Sequence, residues 1–249
     1  MQADGAAPLE IDARQLVAVL DLTRLSDHDR DADVQRFCRQ AANSLGSPAA
    51  LCVHRRFLPV AAEALRLDGL HGRVRLATVA NFPGGTGSAG EVADEVAAAV
   101  AAGADEVDVV APWRNWLDGR RDDAGVLAAA REASEGRTLK VILETGMLGE
   151  RSIVLDAARR AVAAGADFLK TSTGKAAVGA TPEAVATMLE VAAEAPRPIG
   201  IKVSGGISTV AEARRYASMV VEGLGLEALD PARLRIGASS LLDALLDEA

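Results

Sequence analysis

The stretch Ala163-Ala164-Gly165-Ala166-Asp167-Phe168-Leu169-Lys170-Thr171-Ser172-Thr173-Gly174-Lys175 holds a helix end, a turn, a strand and a loop in succession. Gly165 suits the end of a helix, where the chain must turn. The apolar, β-branched run from Phe168 to Ser172 reads as a short buried strand. Lys170 stands inside that run. A lysine is almost never fully buried unless it is paired, and desolvation moves its pKa toward the range where a neutral, nucleophilic amine exists at pH 7. Such an amine is what imine formation with a carbonyl requires. A second lysine of this kind, Lys202, lies in Ile199-Gly200-Ile201-Lys202-Val203-Ser204-Gly205-Gly206. Two such lysines on separate strands are hard to explain by packing.

Outward from this stretch the same rhythm recurs. Segments rich in Val, Ile and Leu at Val17 to Leu22, Ala49 to Val53, Leu76 to Ala80, Glu106 to Val110, Lys140 to Glu144, Phe168 to Ser172, Ile199 to Val203 and Arg235 to Ala238 are separated by helix-length stretches. This alternation predicts βα units around a parallel sheet, and eight units close a (β/α)8 barrel of the TIM type. The glycine-rich turns follow the last three segments, whereas an open doubly wound sheet places its phosphate loop after an early strand. Ser88 with Glu91 and Thr209 with Glu212 read as capping boxes, and Thr181-Pro182-Glu183 reads as a helix start with proline at its first position. Ala101-Ala102-Gly103-Ala104-Asp105, before the fourth segment, echoes Ala163 to Asp167, before the sixth.

A length of 249 residues suits one such barrel. Residues 1–10 lack the basic start and apolar core of a signal peptide and read as a flexible tail; residues 11–249 form the single expected domain. Apolar residues make up 49% of the chain but aromatics only 3%, so Val, Leu, Ile and Ala must fill the core. The net charge of −8, without any basic run, argues against a nucleic-acid surface. The longest apolar stretch, Val96 to Ala104, is far below the roughly 18 residues a bilayer span requires. Cys38 and Cys52 have no metal-ligand or disulfide spacing and are expected to be buried, reduced thiols in a cytoplasmic protein.

In a barrel of this type the C-terminal ends of the strands converge on one mouth. Asp21, Asp108, Glu144, Lys170 and Lys202 all fall within or at the ends of expected strands. So many ionisable groups in strands exceed what one structural ion pair needs. An ordinary lysine, with a pKa of about 10.4, is neutral in roughly one molecule in 2,500 at pH 7. A second ammonium about 6 Å away, at an effective dielectric near 20, lowers that pKa by roughly two units. Lys202 is therefore expected to activate Lys170, with partial burial supplying a third unit, while Asp108 relays protons and Glu144 holds a lysine in place. Loops after the seventh and eighth strands are where barrels hold phosphate. Here they carry Ser204-Gly205-Gly206-Ile207 and Gly237-Ala238-Ser239-Ser240, with Gly174 and Lys175 after the sixth segment as further donors.

The chain resembles the 2-deoxyribose-5-phosphate aldolase family, the DeoC-type class I aldolases, from Leu20 to Leu246. The shared motifs are Leu20-Asp21-Leu22-Thr23, Leu51-Cys52-Val53, Ala77-Thr78-Val79-Ala80-Asn81-Phe82-Pro83, Gly103 to Val110, Lys140 to Thr145, Gly165 to Lys175, Lys202 with Ser204-Gly205-Gly206, and Arg235 to Ser240. The resemblance implies a reversible cleavage of 2-deoxy-D-ribose 5-phosphate to acetaldehyde and D-glyceraldehyde 3-phosphate, without metal or organic cofactor. It implies Lys170 as the Schiff-base lysine, Lys202 as the neighbouring proton-transfer lysine and Asp108 as the proton donor or acceptor. The substrate-binding candidates are Asp21, Thr23, Thr171, Gly174, Lys175, Gly205, Gly206, Ser239 and Ser240. Partners are then small phosphosugars and aldehydes, with a homodimer as the family's suggestion. A transaldolase-like Schiff-base barrel and a non-catalytic phosphosugar-binding barrel are the alternatives. Three departures stand out. The chain ends at Ala249, without the longer tyrosine-terminated tail of some relatives, which bears on turnover. Arg55 replaces a common proline, and Trp113 and Trp116 are placed to reshape the mouth.

Overall fold

The computed structural model describes residues 10–119 and 124–249, so the tail expected over 1–10 lies, except for Glu10, outside the described residues. Eight parallel strands close a single (β/α)8 barrel in sequential order, β1 (Leu20–Arg24), β2 (Ala50–Val53), β3 (Arg75–Ala80), β4 (Glu106–Val110), β5 (Thr138–Ile142), β6 (Phe168–Lys170), β7 (Gly200–Ser204) and β8 (Leu234–Ala238), with β8 pairing back to β1. Helices follow the strands and wrap the cylinder, and their apolar faces meet the strands' outward residues in one continuous core.

Local sequence explains most helix starts. Ser88 accepts from the Glu91 amide and Thr209 from the Glu212 amide, each closing a capping box. Thr181 caps the helix Pro182–Glu194 through the Ala184 amide. Several strand ends differ from the sequence reading: β5 starts and ends two residues earlier than expected, β6 stops at Lys170 rather than Ser172, and the start of β1 differs most. Residues Ala13–Ala18 form a helix, because Asp12 and Gln15 make a capping box that captures the chain ahead of β1. Val17 therefore belongs to a helix rather than to the first strand.

The echoed pentapeptides share a job at the N-terminal end of the barrel. Gly103 and Gly165 adopt φ of +94° and +93° after their helices, a region open to glycine. The aspartate that follows each then accepts a hydrogen bond from a strand amide, Asp105 from Leu76 at 2.9 Å and Asp167 from Leu139 at 2.9 Å. Asp167 also holds Arg131 at 2.8 Å. These tethers pin the starts of β3 and β5, the strands preceding β4 and β6.

The barrel interior is divided. Ala50, Cys52 and Ala77 form a small apolar cluster with Val79 and Leu25. The interior faces of the other strands carry charged side chains. Gly200 leaves room for the Phe168 ring, since a Cβ there would meet it at 2.2 Å.

Candidate active site

Register brings the ionisable residues together. Lys170 and Lys202 are direct partners across β6 and β7, so their side chains share the interior face. Asp108 and Lys140 are partners across β4 and β5, and Lys202 faces Arg235 across β7 and β8. One oxygen of Asp108 accepts from both Lys170 at 2.8 Å and Lys202 at 2.7 Å; the other accepts from Lys140 at 2.9 Å. Lys202 also donates to Asp21 at 2.5 Å. Arg235 donates to Asp21 at 2.6 Å and to Glu106 at 2.7 and 3.0 Å, while Lys140 pairs with Glu106 at 2.5 Å. Gly237 is what lets Lys202 cross toward Asp21, because a Cβ at that position would meet the lysine's Cε at 3.1 Å.

Counting charges in this network is informative. Lys140, Lys170, Lys202 and Arg235 face only Asp21, Glu106 and Asp108, and all seven are buried. An unmatched ion in the interior costs several kcal/mol, so the cluster favours loss of one proton. Lys202 contacts two carboxylates; burial disfavours its charge, but Asp108 and Asp21 outweigh that and raise its pKa. Burial likewise opposes the charge on Lys140, and Asp108, Glu106 and Asp21 raise its pKa above the usual value. Among the described residues Lys170 pairs with Asp108 alone. Burial lowers its pKa, Asp108 opposes the shift and Lys202 reinforces it. Of the four cations Lys170 is therefore the one whose charge the cluster supports least. This reorders the sequence reading, in which Lys202 leads and burial follows: burial is the larger cause. Asp21 and Asp108 are held below the ordinary carboxylate range, since their cationic neighbours overcome the opposing effect of burial.

Above Lys170 the barrel opens into a cavity of about 390 Å³ at the C-terminal mouth, lined by Lys170 and by the loops after β1, β6, β7 and β8. Gly205 and Gly206, with φ of +90° and +87°, turn the β7 loop along one wall. Ser239 and Ser240 are exposed on another, ahead of the helix Leu241–Glu248. Ser240 occupies the cap position without a side-chain hydrogen bond to the helix, so the first amides stay open to an anion in the cavity.

A family model for the DeoC/LacD family aldolases matches residues 15–247. The chain belongs to this family. It is therefore an aldolase, in line with the main sequence reading and not with the transaldolase-like alternative. Three solved structures are similar to it. A protein provisionally assigned as a deoxyribose-phosphate aldolase from Toxoplasma gondii ME49 is 27% identical, with a TM-score of 0.86 over 94% of this chain and 93% of that one. A protein with the same provisional assignment from Coccidioides immitis is 27% identical, with a TM-score of 0.81 over 96% and 87%. An aldolase named QR15 is 27% identical, with a TM-score of 0.77 over 96% of both chains.

The aldolase places the expected residues unevenly. Thr23, Gly174, Lys175, Gly205, Gly206, Ser239 and Ser240 line the mouth cavity with Lys170, and Lys202 and Asp108 lie directly beneath it. Asp21 and Thr171 do not line it. Asp21 is committed to Lys202 and Arg235. The Thr171 hydroxyl donates to the Ser204 carbonyl and accepts from the Ser204 amide, both at 2.9 Å, stitching β6 to β7. Among the described residues Glu144 holds no lysine; with φ of +56° it accepts from the Thr173 amide at 3.1 Å and hydroxyl at 2.6 Å, bracing the loop after β6. Lys175 donates to the Leu25 carbonyl at 3.0 Å, across the mouth. Trp113 and Trp116 are buried and do not line the cavity. Cys52 is buried, and that burial raises its thiol pKa.

Lys140, Glu106 and Arg235 escaped the sequence reading as site residues, although Lys140 and Arg235 carry the signal that marked Lys170, a charge between apolar neighbours in a strand; Glu106, preceded by Asp105, does not. Gly179 was also missed. A Cβ there would lie 2.1 Å from the Gly205 carbonyl oxygen, so only glycine lets this loop pack against the cavity wall. Among the described residues no group of three or more His, Cys, Asp or Glu is placed to hold a metal ion.

Proposed function

We propose that the aldolase reversibly cleaves 2-deoxy-D-ribose 5-phosphate to acetaldehyde and D-glyceraldehyde 3-phosphate through an imine on Lys170. The observation that carries this reading is the buried cation surplus, which disfavours the charged form of Lys170 at the floor of a cavity whose far wall is an open anion cradle. The similar structures from Toxoplasma gondii and Coccidioides immitis, with their provisional assignments, support the substrate.

In the cleavage direction the Lys170 amine adds to the C1 aldehyde of the open-chain sugar. Loss of water from the carbinolamine leaves an iminium, which acts as the electron sink. Acetaldehyde retains C1 and C2, so the C2–C3 bond breaks as a base takes the C3 hydroxyl proton. The pair of electrons from that bond forms an enamine on Lys170, and glyceraldehyde 3-phosphate departs. Protonation of the enamine at C2 and hydrolysis by water then release acetaldehyde and the free amine. Asp108 and Lys202, hydrogen-bonded to each other and within reach of the Lys170 nitrogen, are the groups to shuttle protons, directly or through one water. The mouth glycines and Ser239 and Ser240 hold the 5-phosphate, fixing the sugar so that C1 reaches the amine. Two free, buried cysteines fit a reducing cytoplasm.

The test is borohydride reduction in the presence of acetaldehyde, followed by peptide mass spectrometry. A two-carbon adduct on Lys170, lost together with deoxyribose-phosphate cleavage in Lys170→Ala, is the expected result. Retained trapping in that variant refutes the assignment of the nucleophile, and cleavage of ketose phosphates in preference to deoxyribose phosphate refutes the substrate.

A further inference from the structure

We propose that the opposite, N-terminal end of the barrel is a binding site for a small phosphate-bearing anion, electrically linked to the active-site lysine. A cavity of about 580 Å³ opens there among the starts of the strands, a size typical of small-molecule sites. Arg73 and Arg75 lie on its wall. Arg75 opens β3 and shares a strand face with Ala77, a member of the interior cluster, so its side chain projects toward the barrel axis. Neither guanidinium has a hydrogen bond or ion pair among the described residues, in a chain whose net charge is −8. The Ser47 and Thr138 side chains on the same wall also lack partners among the described residues.

The carboxylates of this cavity are already engaged. Glu106 is held by Arg235 and Lys140, Asp167 by Arg131 and Arg197, and Asp230 accepts from the Ala232 amide at 2.8 Å. Two free guanidinium forks with two hydroxyls form a donor set matched to phosphate oxygens. The inner wall is Arg235, the lower end of the chain Arg235–Asp21–Lys202–Asp108–Lys170. Negative charge added at that end favours the protonated form of Lys170 at the other. A phosphorylated metabolite bound below would thus restrain the chemistry above without occupying the mouth.

The test uses the full chain and pyrophosphate as probe. Isothermal titration calorimetry compares wild type, the Arg73→Gln/Arg75→Gln double variant and the charge-keeping Arg73→Lys/Arg75→Lys variant, each checked for unchanged melting temperature and unchanged activity without pyrophosphate. The expected result is one fewer pyrophosphate per chain in the glutamine variant and a retained, weaker site in the lysine variant. Equal stoichiometry and affinity in wild type and the glutamine variant overturn the site. A second readout, which rests on the proposed imine chemistry of Lys170, is the rate of borohydride trapping with acetaldehyde. Pyrophosphate at the mouth acts equally on both proteins, so the link requires a several-fold greater slowing in wild type. Equal slowing overturns the link. If no trapping occurs in either protein, the reading of Lys170 fails while the calorimetry still decides the site.

Discussion

Replacing Lys202 by methionine should recharge Lys170. At 2.8 and 2.7 Å from one Asp108 oxygen, the two nitrogens lie no more than about 5.5 Å apart. At an effective dielectric near 20, that separation corresponds to about 3 kcal/mol of repulsion, or roughly two pKa units. The substitution also brings the buried count to three cations against three carboxylates, so no proton need be given up. Because the Lys170 pKa is depressed in the native protein, removal of a cation moves it upward and shrinks the neutral fraction at neutral pH. The assay is the rate of borohydride-trapped acetaldehyde adduct from pH 5 to pH 10. The acid-side rise should move up by about two pH units, with trapping roughly 100-fold slower at pH 7 and recovering in alkali. A midpoint that stays in place or moves down would contradict the charge-count argument, whatever happened to turnover.

Asp108→Asn has the opposite sign at Lys170, since Asp108 is the main group holding its proton: trapping should begin at lower pH while turnover drops by about 10²- to 10⁴-fold, read from the same profiles and a coupled aldehyde assay. Gly179→Ala pushes a methyl into the Gly205 carbonyl and should raise KM for the phosphorylated sugar about tenfold with little change in acetaldehyde trapping; overpacking of about 1–3 kcal/mol should also lower the melting temperature by several degrees. Asp21 and Asp108 have folded pKa values below their unfolded value of about 3.9, so their contribution is complete above about pH 5 and is lost as pH falls through the unfolded and then the folded value. Urea midpoints should therefore decline between pH 5 and pH 3.5; a rise over that interval would show that these carboxylates are not stabilised by the network.

The parts of the fold that were legible in sequence are those written locally. Strand segments, capping boxes at Ser88 and Thr209 and the turn glycines each carry their signal within a few residues. The start of β1 was not legible, because Leu16 and Val17 are as apolar as the strand that follows and only the Asp12–Gln15 box separates them. For the site, an ionisable residue in an apolar strand identified Lys170, Lys202 and Asp108 as candidates. The same rule applied to Lys140 and Arg235 would have exposed the cation surplus, whereas Glu106, next to Asp105, carries no such mark. Asp21 and Thr171 show its limit: a strand position near the mouth does not say whether a side chain reaches the ligand or a neighbouring strand. Gly179 has no local mark at all, since its requirement comes from Gly205, distant in sequence and close only after folding.

The aspartate tethers at 105 and 167 fasten the cylinder at the end away from the mouth. Integrity of the scaffold and choice of acceptor therefore draw on different sets of side chains. Exposed mouth side chains such as Ser239 and Ser240 should therefore accept replacement for new aldehydes with little loss of heat resistance, whereas a change at either tether should loosen the framework even with every mouth residue untouched.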